Sequence, residues 1–197
     1  MSLKAEIFSN VNAIPKSYWD SLKCCTNIYY SPEFLEAFEK ANKDIFFNYV
    51  FITRNGEPIT FANTQLVTIS VKTITKNIKM NAWLKRTINR FFCDHQIRIL
   101  FCGNIFLSGE YGTFLKEGED KIEAFNALSK GIEDLSKTIK KLTGLFVKDF
   151  KNDSLYITKN LNNFSYTPMQ VEPNMIFRLK PEWENFEDYT SALKSKY

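Results

Sequence analysis

The dipeptide Asn55-Gly56 divides FFNYVFITR from EPITFANTQLVTIS, and it constrains the fold more than any other feature of the chain. Two runs rich in aromatic and β-branched residues, separated by Asn-Gly, form a β-hairpin. The tight turn needs positive φ at both central residues, and Asn and Gly reach that region at the least cost. The spacing predicts a hairpin over about 46–70. A sheet is thereby set early in the chain, and the remaining sequence must supply layers to cover it.

Those layers are visible as periodic segments. Ser31-Pro32-Glu33 places an N-cap, a first-turn proline and a first-turn acid in order, and Phe34, Leu35 and Phe38 follow at helical spacing, so a helix is expected near 31–42. From Thr75 to Phe92 the pattern is helical again, with Ile74, Ile78, Leu84, Ile88, Phe91 and Phe92 available for one face. Arg98–Cys102 reads as a short strand. Residues 119–142 form a long amphipathic helix, with Ile122, Phe125, Leu128, Ile132, Leu135, Ile139 and Leu142 on one stripe and Gly144 placed to end it. A strand is expected at Leu145–Phe150, a short helix at 152–161, strands at 164–170 and 174–180, and an amphipathic helix from Trp183. Helices alternating with strands around a mixed sheet indicate an α/β class, built as an α+β sandwich.

Composition narrows the class of function. Of the 197 residues, 44% are hydrophobic and 15% aromatic, 18 of them Phe, which points to a well-filled core rather than disorder. A net charge of +4 is too mild to imply nucleic acid, and no recognisable nucleic-acid module accompanies it. No run approaches the roughly 18–20 apolar residues of a membrane span, and no signal-peptide core opens the chain. Cys24, Cys25, Cys93 and Cys102 lack CxxC spacing, so reduced, mostly buried thiols in a cytoplasmic protein are expected.

Four features could carry chemistry. His95 is the single histidine, beside Cys93 and Asp94 in an expected turn; it serves turn chemistry there or a nucleophile system, and one His cannot make a His-rich metal site. No metal site is expected. Lys72, Lys76, Lys79, Lys85, Arg86 and Arg90 lie in a stretch without an acid, around Trp83. That stretch is either a solvated face or a contact for an anionic substrate or membrane surface, through Lys76, Lys79, Lys85, Arg86 and Arg90. In FCGNIFLSGEYG, three of the seven glycines fall together. The spacing is neither GxxxxGK[ST] nor GxGxxG, and Ile105-Phe106-Leu107 interrupts any run of backbone N–H groups that would cradle phosphate. The stretch reads instead as a strand-end loop bent at Gly103, Gly109 and Gly112. Glu110 and Tyr111 within it are the candidate acid and base, with Asn104, Ser108 and Gly109 as substrate contacts; alternatively Glu110 caps a turn and Tyr111 packs on the sheet.

Several stretches together resemble a known group: IYYSPEFLEAFE, the NGEP turn, ILFCGNIFLSGEYG, LFVKDF and the tail PNMIFRLKPEWENFEDYTSALKSKY. They are similar to GNAT-like acyltransferases (the acyl-CoA N-acyltransferase superfamily), and within it to bacterial Fem-type peptidoglycan aminoacyltransferases and the proteins labelled peptidoglycan biosynthesis or recognition. The resemblance covers most of the chain. It implies a mixed, mostly antiparallel GNAT-like sheet flanked by helices, with 1–182 as an N-terminal domain and 183–197 opening a helix toward a second half. It implies transfer of an acyl group from acyl-CoA or aminoacyl-tRNA to a cell-envelope amine such as a peptidoglycan precursor, with this half shaping the acceptor side and holding no cofactor itself. The family's Gly-rich pyrophosphate string has no counterpart here. The rival expectation is a non-catalytic GNAT-fold module that binds an envelope precursor, a partner protein or an anionic membrane surface.

Overall fold

The computed structural model describes residues 2–92, 95–170 and 178–193. The chain divides into two compact units, Met1–Thr167 and Pro168–Tyr197. The first holds a six-stranded mixed sheet, mostly antiparallel, with helices on both faces. This is the α/β class expected.

The hairpin forms as the sequence predicts. β2 (Phe46–Arg54) and β3 (Glu57–Ser70) pair antiparallel, and Asn55 (φ 54°) and Gly56 (φ 85°) occupy the left-handed turn positions. β1 (Leu3–Phe8) pairs with the outer side of β2. On its other side β3 pairs antiparallel with β4 (Gln96–Cys102), and β4 pairs parallel with β6 (Leu142–Val147). The order is β1-β2-β3-β4-β6, with β5 (Thr113–Leu115) also on β3.

Both faces of β2 and β3 are covered, which explains their nearly unbroken apolar character. One face carries Tyr49, Phe51 and Phe61, packed against Trp19 and Leu22 of α1 (Lys16–Leu22), Leu35 of α2 (Pro32–Ala41) and Tyr30. Aromatic contacts dominate there: Phe51 stacks on Phe61 at 5.1 Å, and Trp19 meets both rings edge-on. The other face carries Val50, Ile52, Ala62, Leu66 and Leu100, packed against Ala124, Leu128, Ile132 and Leu135 of α5 (Lys121–Thr138). The caps behave as expected, with Ser31 Oγ accepting from Phe34 N.

Several boundaries differ from expectation. The pattern over 75–92 splits into α3 (Val71–Asn77) and α4 (Ala82–Phe92), because the chain extends at Ile78 and turns. The long helix stops at Thr138. Gly144 does not end it but lies within β6, opposite Ile99, and Lys141 supplies the left-handed residue before the strand. The short helix at 152–161 is a run of 3-10 turns over Asn152–Phe164. Residues 165–170 form no strand, and most of the strand expected at 174–180 falls outside the described residues. β1, α1 and β5 had no clear sequence signal. The second unit contains α6 (Phe186–Ala192), opened by a reciprocal capping box between Asn185 and Asp188.

Candidate functional site

The glycine-rich stretch interrupts what is otherwise one continuous strand beside β3. β4 pairs with Ser70 through Thr64, β5 resumes at Ala62, and only Asn63 lies between. Residues 103–112 therefore loop out and return to the place they left. The neck is closed by two backbone bonds to Asn63: Gly103 N donates to its carbonyl and its N–H donates to the Gly112 carbonyl, each at 2.9 Å. At this neck a Cβ on Gly112 would lie 2.7 Å from the Gly103 Cα, so the glycines serve close backbone approach.

The loop is held from three sides. Tyr30 Oη, buried under it, lies 2.6 Å from the Glu110 carbonyl and 3.0 Å from the Thr113 carbonyl. Burial raises the Tyr30 phenol well above its ordinary range, and the charge of Glu110 adds to this, so Tyr30 acts as a neutral donor. Lys148, just beyond β6, donates from Nζ to the Asn104 and Leu107 carbonyls at 3.0 and 2.9 Å and pairs with Asp149. From β3, Gln65 Oε1 accepts from Ile105 N at 3.0 Å.

The predicted residues take distinct positions here. Glu110 accepts from Lys151 N at 2.7 Å through Oε1 and from Ser154 Oγ at 3.0 Å through Oε2, which ties the loop to the start of the 3-10 segment. Tyr111 lies against Tyr29, ring centroids 4.2 Å apart. Asn104 is buried and its Oδ1 accepts from Phe106 N at 2.8 Å, while Ser108 is exposed at the tip. Gly109 has φ 118° and faces the Tyr111 ring. Glu110, Tyr111, Asn104, Ser108 and Gly109 thus share one loop. Lys76, Lys79, Lys85, Arg86 and Arg90 lie apart from it on α3, α4 and the turn between them. His95 closes that excursion: its carbonyl accepts from Val71 N and its ring meets Phe92 edge-on at 5.3 Å. Among the described residues, Cys24 and Cys102 are buried, Cys25 is exposed and all three are free; Cys93 lies outside them.

Asn63 and Gln65 carried no functional signal in the sequence. Both sit on the aromatic face of β3, opposite Tyr49 and Phe47, and are 2% and 0% exposed. Asn63 Oδ1 and Gln65 Nε2 have no hydrogen-bond partner. Leaving such groups unpaired costs about 1–3 kcal/mol each, so an unsatisfied acceptor and an unsatisfied donor lie closed over beneath the loop. An "NTQ" run in a strand gives no hint of this; it takes the loop folded over it. A shallow groove of about 470 Å³, lined by Glu39, Lys43, Phe46, Phe47, Leu66 and Arg98, lies near the start of β2, but Glu39 is already engaged by Val11 N and Tyr49 Oη.

The residues before α5 do not suit a pyrophosphate. Asp120 Oδ1 already accepts from Ile122 N and Glu123 N, occupying amides that would bind an anion. Glu119 and Glu123 flank it, and Arg54 is paired with both. The β4–β6 ladder also runs to its end at Cys102 and Val147, and Lys148 N continues it to the Cys102 carbonyl at 3.2 Å. The two strands therefore do not splay to admit a donor's arm. Among the described residues, no cluster of His, Cys, Asp and Glu gathers as a metal site, and no helix is long and apolar enough to cross a membrane.

No family model matches the chain. No curated protein matches it either. Among solved structures the chain is similar to an aminoglycoside N-acetyltransferase in complex with CoA, at 12% identity over 91% of this chain and 95% of that one, with a TM-score of 0.48. It is similar to a possible acetyltransferase from Clostridium difficile 630, at 10% identity over 89% and 99%, TM-score 0.43. It is also similar to a ribosomal-protein-alanine N-acetyltransferase from Brucella melitensis biovar Abortus 2308, at 7% identity over 91% and 100%, TM-score 0.44.

Proposed function

We propose that this chain is a GNAT-like domain that shapes the acceptor side of an N-acyltransferase, of the Fem-like kind, with a cell-envelope amine such as a peptidoglycan precursor as acceptor. The observation that carries the reading is the position of the loop. It hangs from the carboxyl end of β4, where the antiparallel sheet gives way to the parallel β4–β6 pair, over Asn63 Oδ1 and Gln65 Nε2, the two amide atoms left without a partner. A loop at a strand end, carried by a rigid sheet, is where binding residues are commonly displayed. The motif resemblance supports the same assignment.

In this role the loop lifts, so that Gln65 Nε2 donates to a carbonyl of the acceptor and Asn63 Oδ1 accepts from one of its amide N–H groups, with Asn104, Ser108 and Gly109 bordering it. Glu110 keeps a second lone pair on each oxygen while bound to Lys151 N and Ser154 Oγ, and so remains able to take a proton from the acceptor's ammonium, freeing the amine that attacks the acyl carbon. Tyr111 offers a phenol beside it. Because the start of α5 is occupied by Asp120, the donor's phosphates are held elsewhere.

Isothermal titration with a lysine-containing muropeptide tests the assignment: binding that weakens at least tenfold in Gln65→Leu supports it, and equal binding by the variant overturns it. The second reading, a binding module without catalysis, is favoured by the capped α5 and the closed β4–β6 ladder. Muropeptide binding with neither thiol release from acetyl-CoA nor acyl transfer from an aminoacyl-tRNA decides for the module.

A further inference from the structure

We propose that the α3–α4 hairpin is a docking surface for an anionic lipid bilayer. The hairpin leaves the sheet at Ser70 and returns at Gln96, which pair with each other at one end of the β3–β4 ladder. On α4, Leu84, Thr87, Ile88 and Phe91 follow at helical spacing, bordered by Trp83 and Phe92, and form one side. Lys85, Arg86, Asn89 and Arg90 form the other. α3 packs against the polar side: Thr75 Oγ1 bonds Asn89 Oδ1 at 2.7 Å, and Lys85 Nζ reaches the Lys76 carbonyl. Most of the apolar side is left uncovered, with Thr87 and Ile88 half-buried. No described side chain of α4 is buried, and Trp83, Phe91 and Phe92 are 73%, 66% and 50% exposed.

The charge on this hairpin selects the occupant. Between Val71 and Phe92 there are six cations and no acid: Lys72, Lys76, Lys79, Lys85, Arg86 and Arg90. Around the helix, Arg90 borders Trp83 and Lys85 borders Phe92, so cations flank both edges of the apolar side. That is the arrangement of a helix lying in a lipid interface, its apolar side below the headgroups and its cations at their phosphates. A nucleic-acid duplex would engage the cations and leave Trp83, Leu84 and Phe91 in water. The glycine loop lies at the other end of the β3–β4 ladder, about 20 Å away at ~3.3 Å per residue, so docking leaves it open. The inference stands independently of the reaction assigned above.

Sedimentation of the full chain with vesicles of phosphatidylcholine alone, or of equal parts phosphatidylcholine and phosphatidylglycerol, tests it. We expect binding to the anionic vesicles only, lost at high salt, with a blue shift of tryptophan emission. The triple reversal K85E/R86E/R90E lowers partitioning at least about a hundredfold, from roughly fivefold per cation removed. Trp83→Ser with Phe91→Ser weakens binding and leaves its salt dependence in place. These positions lie on the helix surface, and thermal melts verify that each variant folds; Lys79→Glu in the exposed turn is the alternative variant, with about a fivefold loss or more. No binding to anionic vesicles at low salt, equal binding by a folded reversal variant, or displacement of the vesicles by duplex DNA would each overturn the proposal.

Discussion

At the scale of single residues, the neck of the loop and its carboxylate make different demands. A methyl group on Gly112 meets backbone only: Gly103 Cα at 2.7 Å, Gly103 N at 3.0 Å and the Cys102 carbonyl at 3.1 Å. No rotamer change relieves such a contact, so Gly112→Ala costs about 1–3 kcal/mol, in the range of overpacked sites, and urea denaturation reads the loss as a lower midpoint at unchanged slope. Glu110 separates anchoring from chemistry. In Glu110→Gln the amide oxygen still accepts from Lys151 N, and the amide N–H can donate to Ser154 Oγ, so the loop stays tied down. In Glu110→Ala both ties go. If Glu110 takes a proton during transfer, the Gln variant melts within about a degree of the parent yet loses at least about a hundredfold in kcat. A Gln variant with full turnover would leave the carboxylate an anchor alone.

At the scale of elements, what the sequence disclosed is what short range decides. The hairpin depends on two adjacent φ values, and α2 on Ser31, Pro32 and Glu33, so both were legible. The stripe of α5 was legible too, but not its end. Whether Gly144 closes a helix or enters a strand depends on β4 lying alongside to pair with it. β1 is short, partly exposed and stabilised by β2, over forty positions away in the chain, and nothing local marks it. The same distance hid the loop's closure. Three glycines were visible, but not that Cys102 and Thr113 flank one residue of a common partner strand. Packing of α5 on the sheet supplies a test of this tertiary control. A Cβ on Gly131 would lie 2.8 Å from Val50 Cγ1 and 3.4 Å from Ala5 Cβ. Replacing Gly by Ala within a helix gains up to about 1 kcal/mol from propensity, while overpacking costs about 1–3 kcal/mol. Val50 is fully buried and branched at Cβ, so it has little room to retreat and the packing cost prevails. Gly131→Ala is therefore expected to lower the melting temperature; a rise would mean that β2 yields to α5.

At the scale of the whole molecule, both faces of the sheet hold buried groups that resist losing a proton, and this sets the alkaline limit of stability. On the aromatic face, burial pushes Cys24 up to about 12 and raises Tyr30 and Tyr49 well above their ordinary values, with hydrogen bonding from Tyr49 to Glu39 adding to the effect. On the α5 face, burial alone takes Cys102 to about 12. Tyr166, whose hydroxyl is buried without a partner, is raised in the same way. Below the ordinary thiol value of 9.0 these groups are protonated in both the native and the unfolded chain, and they add no pH dependence. Above it for the thiols, and above 10.0 for the phenols, the unfolded chain releases protons that the native chain retains, so stability falls as pH rises toward 12, by about 1.4 kcal/mol per pH unit for each group so perturbed. Because the groups are divided between two cores that share β2 and β3, no local opening exposes them all, and they ionise together as the first unit unfolds. Phenolate absorbance followed through this range should rise in two parts: an early, gradual one from exposed tyrosines, and a late, cooperative one that coincides with loss of far-ultraviolet ellipticity. A single smooth titration of all nine tyrosines with the ellipticity intact would show that the aromatic core admits hydroxide without unfolding.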